Sequence, residues 1–342
     1  MGGHARGRLT PLGDRPDCNQ HRSADKFSVL NLTNQMAPSN RTLTFKLWTM
    51  NAREGNELLP YADLFAAIAA RQSPQTLQAV SRDLTFAIDL EESLDEKSDA
   101  RLTDHRVFYG TIVAGTPDEV PVYFDYRTGQ TDSGTTPDGK WLAQVSVIVV
   151  SITPADRFIA FESARNGITS ARLARYFQLL AEQIWKKRSV EFDINPVQSP
   201  SLLTEIDSFS RIREATATVT RPNFDWDDQS HKLADLADES GGHEAEATVR
   251  AARGQTLSTK NGIVAAIRSS LTNATSAMSK FRITGRKANS DKETTVTSSK
   301  HQQRTFVKVP TTTDADIEGV VRDQVLSFIE SARVTFTNRQ QR

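Results

Sequence analysis

"RFIAFESARNGITSARLARYFQLLAEQIWKKRSVEFDINP", residues 157–196, reads as strand, helix, strand, and it decides the fold class. Its two ends are short runs rich in Phe, Ile and Val, of strand length. Between them Leu173, Phe177, Leu180 and Ile184 recur on one helical face. Thr169 or Ser170 supplies an N-cap, and Lys186, Lys187 and Arg188 place cations where the helix dipole favours them. Upstream, "WLAQVSVIVVSI" (141–152) meets "RFIAFES" across the turn "TPAD", which predicts an antiparallel pair. Downstream, a short helix "LLTEIDSF" (202–209) leads into the strand "REATATVTRP" (213–222).

The same reading extends to both sides. "TLTFKLWTM" (42–50) alternates as a first strand, and "LPYADLFAAIAARQ" (59–72) is a helix that starts after Pro60 and carries Leu64, Ala67, Ile68 and Arg71 at helical spacing. "LTFAIDL" (84–90) is a strand. "RVFYGTIVAG" (106–115) and "VPVYFDYRTG" (120–129), separated by "TPDE", predict a hairpin. Antiparallel strands interspersed with helices define an α+β fold. The expected organisation is a disordered leader at 1–38, an α+β sheet domain at 39–222, an acidic linker at 223–249 and a basic helix–hairpin–helix unit at 250–336. The last contains "NGIVAAIRSSLTNA" (261–274) as a helix, a hairpin with "NSDK" at its tip, and a final helix capped by Asp314.

Charge layout carries the functional inference. The chain is neutral overall, with 42 basic and 42 acidic residues. Its acids cluster at 225–246, where eight stand against Lys232 alone, and its bases at 250–308, where twelve stand against Asp291 and Glu293. In "KFRITGRK" (280–287) Lys280 and Arg282 share a strand face opposite Phe281 and Ile283, with Arg286 and Lys287 following. Lys300 comes next, and "RTFVKV" (304–309) puts Arg304, Phe306 and Lys308 opposite Thr305, Val307 and Val309. A two-stranded ribbon with cations on one face can follow phosphates, so these seven cations are the candidate nucleic-acid contacts, with DNA as the expected partner. Two other readings stand beside it: a protein-interaction component whose charged blocks meet a partner or one another, and a divergent nuclease.

No motif supplies catalytic chemistry, and no catalytic residue, cofactor or metal site is assigned. "GTTPDGKW" (134–141) begins like a phosphate-binding loop, but Trp141 stands where a Ser or Thr must hold magnesium, and a strand follows instead of a helix. The six histidines lack metal-ligand spacing, and His105 beside Asp104 reads as a solvated strand-edge pair. "DEKSD" (95–99) reads as a solvated charge run, and Asp193 and Asp125 as strand-end turn residues. The lone Cys18, the lack of an apolar run of membrane-spanning length and the absence of a secretory signal at the start predict a cytoplasmic location.

The order "RFIAFES", "GITSARLARYFQLL", "VEFDINPV", "REATATVTRPN", followed by a late hairpin and helix, resembles the RexA phage-exclusion family, with the join at Ile168–Ser170 as its best marker. The resemblance spans about residues 157–310. It implies a cytoplasmic, dimeric DNA-binding sensor that works with a protein effector in phage exclusion or antiviral defence. It supplies no catalytic residue, and the acidic insert and the leader depart from its pattern.

Overall fold

The structure, a computed structural model, describes residues 40–340 except 55–56, 94–104, 118, 120–121, 126–129, 135–139, 163–167, 187–188, 221–238, 243, 273–277, 289 and 311–316. The expected leader with Cys18, the run "DEKSD", Asp104 and the Asp314 cap therefore lie outside the described residues.

The organising element is β1 (Asn40–Glu54), whose alternation serves two cores. Leu43, Phe45 and Leu47 face one side, while Met50 and Ala52 are buried on the other. β9 (Arg157–Glu162) lies antiparallel along one edge of β1. Two strands share the opposite edge end to end: β15 (Arg304–Pro310) pairs with residues 40–46, and β10 (Val190–Pro196) with residues 48–54. They meet at Leu47, whose N–H donates to the Gln303 carbonyl at 3.0 Å and whose carbonyl accepts from the Val197 N–H at 3.1 Å. Beyond β9 the sheet continues through β8 (Ala143–Ile152), β5 (Arg106–Gly115), β4 (Leu84–Ser93) and β3 (Gln78–Ser81). The short β2 (Glu57–Leu58) also pairs with β1. All of these pairings are antiparallel, as the strand patterns predict.

Helices cover both faces of this sheet. α1 (Tyr61–Ala69) and α2 (Ser170–Trp185) bury Leu64, Phe65, Ile68, Tyr176, Phe177 and Leu180 against Phe86, Phe108, Ile112 and Ile148. Each such side chain contributes about 1.5–3 kcal/mol by leaving water. Thr169 is the α2 cap and accepts from the Arg172 N–H at 3.3 Å; Lys186 closes the helix in the left-handed conformation at φ 55°. Gly110 interrupts the β-rich run of β5 because a Cβ there would stand 2.0 Å from the Asp89 carbonyl oxygen.

A second antiparallel sheet has the order β12 (Glu244–Arg250), β11 (Phe209–Thr220), β13 (Met278–Lys287), β14 (Glu293–Thr297). α3 (Ser201–Asp207) and α4 (Gly262–Ser270) cover one of its faces, packing Leu202, Ile206, Val264 and Ile267 against Ile212, Ala215, Phe281, Ile283 and Val296. A separate ribbon pairs β6 (Val122–Asp125) with β7 (Gln130–Ser133).

The last helix, α5 (Ile317–Gln340), returns to the free face of the large sheet. Val321, Val325, Ile329, Ala332 and Phe336 recur every three or four residues and pack on Phe45, Val149, Phe158, Val307 and Val309. A polar network locks it there. The Arg333 guanidinium donates to both Asp156 oxygens at 2.8 and 2.9 Å and to Ser151 Oγ at 2.9 Å, and also bonds Glu330. Burial works against the Arg333 charge, yet these carboxylates hold its pKa above the usual arginine range.

Four expectations need correction. β5 pairs with β4 and β8 instead of forming a hairpin with residues 122–125, because its Val/Ile/Phe-rich faces need partners on both edges. Residues 244–249, expected in a linker, belong to a strand: alternation in "EAEATVR" (244–250) pairs it with β11 despite its charge. Residues 250–336 do not form a separate helix–hairpin–helix unit. Their hairpin and α4 belong to the second sheet, whereas β15 and α5 complete the first, where Val307 and Val309 find an apolar core. His105 is half-buried and not a solvated pair, with Nε2 at 2.8 Å from Ser151 Oγ and 3.7 Å from Glu330.

That last position makes stability pH-dependent. Burial first, and then the charge of Arg333, hold the His105 pKa below its ordinary value of 6.5, outweighing Glu330 and Asp156. The unfolded chain therefore takes up the proton at higher pH than the folded one, and stability falls as pH drops below about 6.5. Thermal melts at pH 7.5 and 5.5 should show a larger loss for the wild type than for His105→Gln; equal losses would exclude this histidine as the source.

Among the described residues, no helix is long and apolar enough to cross a membrane.

Candidate nucleic-acid interface

The seven predicted cations fall in three places. Lys280, Arg282 and Arg286 are exposed on the open face of the second sheet, opposite the side covered by α3 and α4. The strand that pairs with β13 is β14, "ETTVT", and not "RTFVKV"; of the expected tip "NSDK", Ser290, Asp291 and Lys292 stand between the two strands and Asn289 lies outside the described residues. Val307 and Val309 hold β15 in the large sheet beside β1, so the predicted two-stranded cationic ribbon does not form.

Carboxylates already answer most of the hairpin's charge. Lys280 Nζ stands 3.8 Å from Glu244, Arg282 is 3.3 Å from Glu214, and Lys287 is paired with Glu205. Glu214 also binds Arg250 at 2.7 Å, and Arg213 reaches Glu293 at 3.2 Å. The bond from Lys287 holds the Glu205 carboxyl below its usual range; those from Arg250, and secondarily the nearby Arg282 and Arg213, do the same for Glu214. Threonines fill the rows between: Thr216 with Thr248 and Thr284 with Thr295, each pair at 3.0 Å. Of the hairpin set, Arg286 alone has no ion pair among the described residues.

The second place is the outer face of β1 and β15, away from α5. Register sets Lys308 opposite Thr42, Phe306 opposite Thr44, and Arg304 opposite Lys46. Phe306 is 58% exposed, and the Arg304 guanidinium lies 5.6 Å from its ring centre. No ion pair to Lys46, Arg304 or Lys308 exists among the described residues. Like charges directly opposite across a ladder are destabilising, so Lys46 against Arg304 is a cost that folding alone does not explain. Next along this face of β1 comes Trp48, stacked on Phe161 with ring centres 5.5 Å apart.

The third place is a 3₁₀ turn at Ser298–His301 that carries Lys300. Lys300, His301 and Arg304 border an open cavity of about 400 Å³ beside α5.

Sequence reading missed Lys46 and Trp48. The signal was present in "TLTFKLWTM", where Thr42, Thr44, Lys46 and Trp48 share one alternating face, but only the pairing of β1 with β15 shows what they join. Of the two acids read as strand-end residues, Asp193 lies instead within β10, where it accepts from the Ile194 N–H at 2.8 Å and Thr220 Oγ1 at 3.1 Å, and Asp125 is the last residue of β6. No group of three or more His, Cys, Asp or Glu side chains that could hold a metal exists among the described residues.

Residues 61–322 match the model described as Domain of unknown function (DUF4747), and the chain belongs to that family. Among curated proteins none matches the sequence. The family match starts at the first residue of α1, so Arg304, Phe306 and Lys308 lie inside it while Lys46 and Trp48 lie before it.

Proposed function

We propose that this protein binds DNA in a sequence-tolerant way and lays a single strand along the outer face of β1 and β15. The observation that carries this reading is the juxtaposition of Lys46 and Arg304 without an ion-paired carboxylate among the described residues, flanked by Lys308 and an exposed Phe306. Cations neutralise phosphates, and an exposed aromatic on a strand face stacks bases without selecting among them. A flat strand face suits an unpaired strand better than the wall of a duplex groove. Lys300 extends the cationic track toward the cavity of about 400 Å³ beside α5. A role in phage exclusion or defence, self-association and a protein effector come from the family resemblance and are part of the proposal.

A second reading has its own support. The hairpin cations and the acids of β11, β12 and α3 neutralise one another within the chain, as the interaction-protein alternative anticipates. Under that reading the charge layout stabilises the second sheet and leaves no DNA surface.

Fluorescence anisotropy with labelled single-stranded DNA, duplex DNA and RNA across a salt series separates the two. Three to four phosphate contacts predict a slope of log affinity against log salt of roughly −2 to −3 on a single strand. Affinity should vary little with base sequence. Absence of binding at low salt would leave the interaction reading in place.

A further inference from the structure

The basic face leads at Lys46 and Trp48 into a cavity of about 470 Å³ between the N-terminus of α2, β10 and the second sheet. We propose that this cavity receives one nucleotide unit, phosphate first, from the bound strand or free in solution. The inference rests on the nucleic-acid reading above and gives it a specific pocket.

Four observations converge on that chemistry. The volume lies in the range of small-ligand sites. The first-turn amides of Ser170 and Ala171 belong to residues lining the cavity, and the helix's own ladder supplies no acceptor for them; Thr169 caps the next amide, that of Arg172. Lys46 adds positive charge from β1, without an ion pair among the described residues, whereas the charge of Lys280 in the same lining is answered by Glu244. Finally, two lining residues carry buried donors without a partner among the described residues, the Trp48 indole Nε1 and Nδ2 of Asn195; both atoms are closed to water, so a ligand reaches them by turning those side chains toward the cavity. Leaving a buried donor unsatisfied costs about 1–3 kcal/mol, which an acceptor-rich ligand would recover.

The arrangement is polarised. Anion-binding groups gather around Lys46 and the helix terminus, which fits a phosphate. Asp193, tied to Thr220, and Glu244, 3.8 Å from Lys280, provide acceptors toward the second sheet. Those suit the amino and imino N–H groups of a base or the hydroxyl of a sugar. The indole of Trp48, with Ile194 and Pro196, supplies apolar surface between the two ends.

The test is calorimetric titration of the full chain with dAMP, deoxyadenosine and inorganic phosphate, beside anisotropy with a labelled oligonucleotide. dAMP should bind with a Kd below about 1 mM, and deoxyadenosine and phosphate each at least about tenfold more weakly, since each lacks one end of the ligand. Trp48→Phe keeps an aromatic ring but removes the N–H together with the second ring of the indole, and should weaken dAMP about fivefold to tenfold. A matched melting temperature would show that the fold is intact. Equal affinity for phosphate and dAMP would reduce the cavity to a simple anion site and overturn the proposal, as would a Trp48→Phe variant that binds dAMP like the wild type. Oligonucleotide binding without dAMP binding overturns the cavity and leaves the β1–β15 face standing. Binding of neither overturns both.

Discussion

Arg333→Met is expected to destabilise the protein by about 3 kcal/mol, because it strands two carboxylates against the sheet. Arg333 and Asp156 side chains are each 12% exposed, and the guanidinium makes paired bonds to Asp156 while also reaching Ser151 and Glu330. Methionine fills a similar volume but answers none of those acceptors. The loss would fall on the contact between α5 and the turn joining β8 to β9, so α5 amides should exchange with solvent first. A double-mutant cycle with Asp156→Asn distinguishes network from packing: the second change should cost much less in the Arg333→Met background than alone. Chemical denaturation checks both points. A loss below about 1 kcal/mol, with additive behaviour, would show that apolar packing alone holds the helix.

The second large effect concerns binding. Replacing Lys46, Arg304 and Lys308 together by Ala removes three proposed phosphate contacts. Each contributes about 0.7 to the single-strand salt slope, so the slope should flatten by about two units. Referred to 1 M salt, a slope change of two corresponds to roughly a hundredfold weaker binding at 0.1 M. All base sequences should weaken alike, because the lost contacts read the backbone. The fold should tolerate the change: the three side chains lie on the outer strand face, and removing Lys46 from beside Arg304 relieves a repulsion.

Local elements were legible in the sequence because local physics sets them. Periodicity in "ARLARYFQLLAEQI" and its Thr169 cap place α2, and alternation places β8 through β11. Pairing partners were not legible. β15 looked like the mate of β13 since both carry cations beside apolar residues, but nothing local records that Val307 and Val309 belong with Phe45 and Val325. The forked edge of β1, where β10 and β15 meet at Leu47, brings together segments more than a hundred residues apart in sequence. For the candidate site the cations were visible and their neutralisation was not. Glu205, Glu214 and Glu244 sit in α3, β11 and β12, and only the sheet order β12-β11-β13 with α3 beside it sets them against Lys287, Arg282 and Lys280. Lys46 was overlooked for the complementary reason: as one cation in an apolar strand it makes no cluster until β15 supplies Arg304.

Two triple variants compared in one salt titration test the central claim most directly. Lys46, Arg304 and Lys308 replaced by Ala should flatten the single-strand slope by about two units. Arg282, Arg286 and Lys287 replaced by Ala should change it by less than about one, because Glu214 and Glu205 already hold two of those three charges. The reverse order, with the hairpin variant losing the slope and the β1–β15 variant keeping it, would contradict the account.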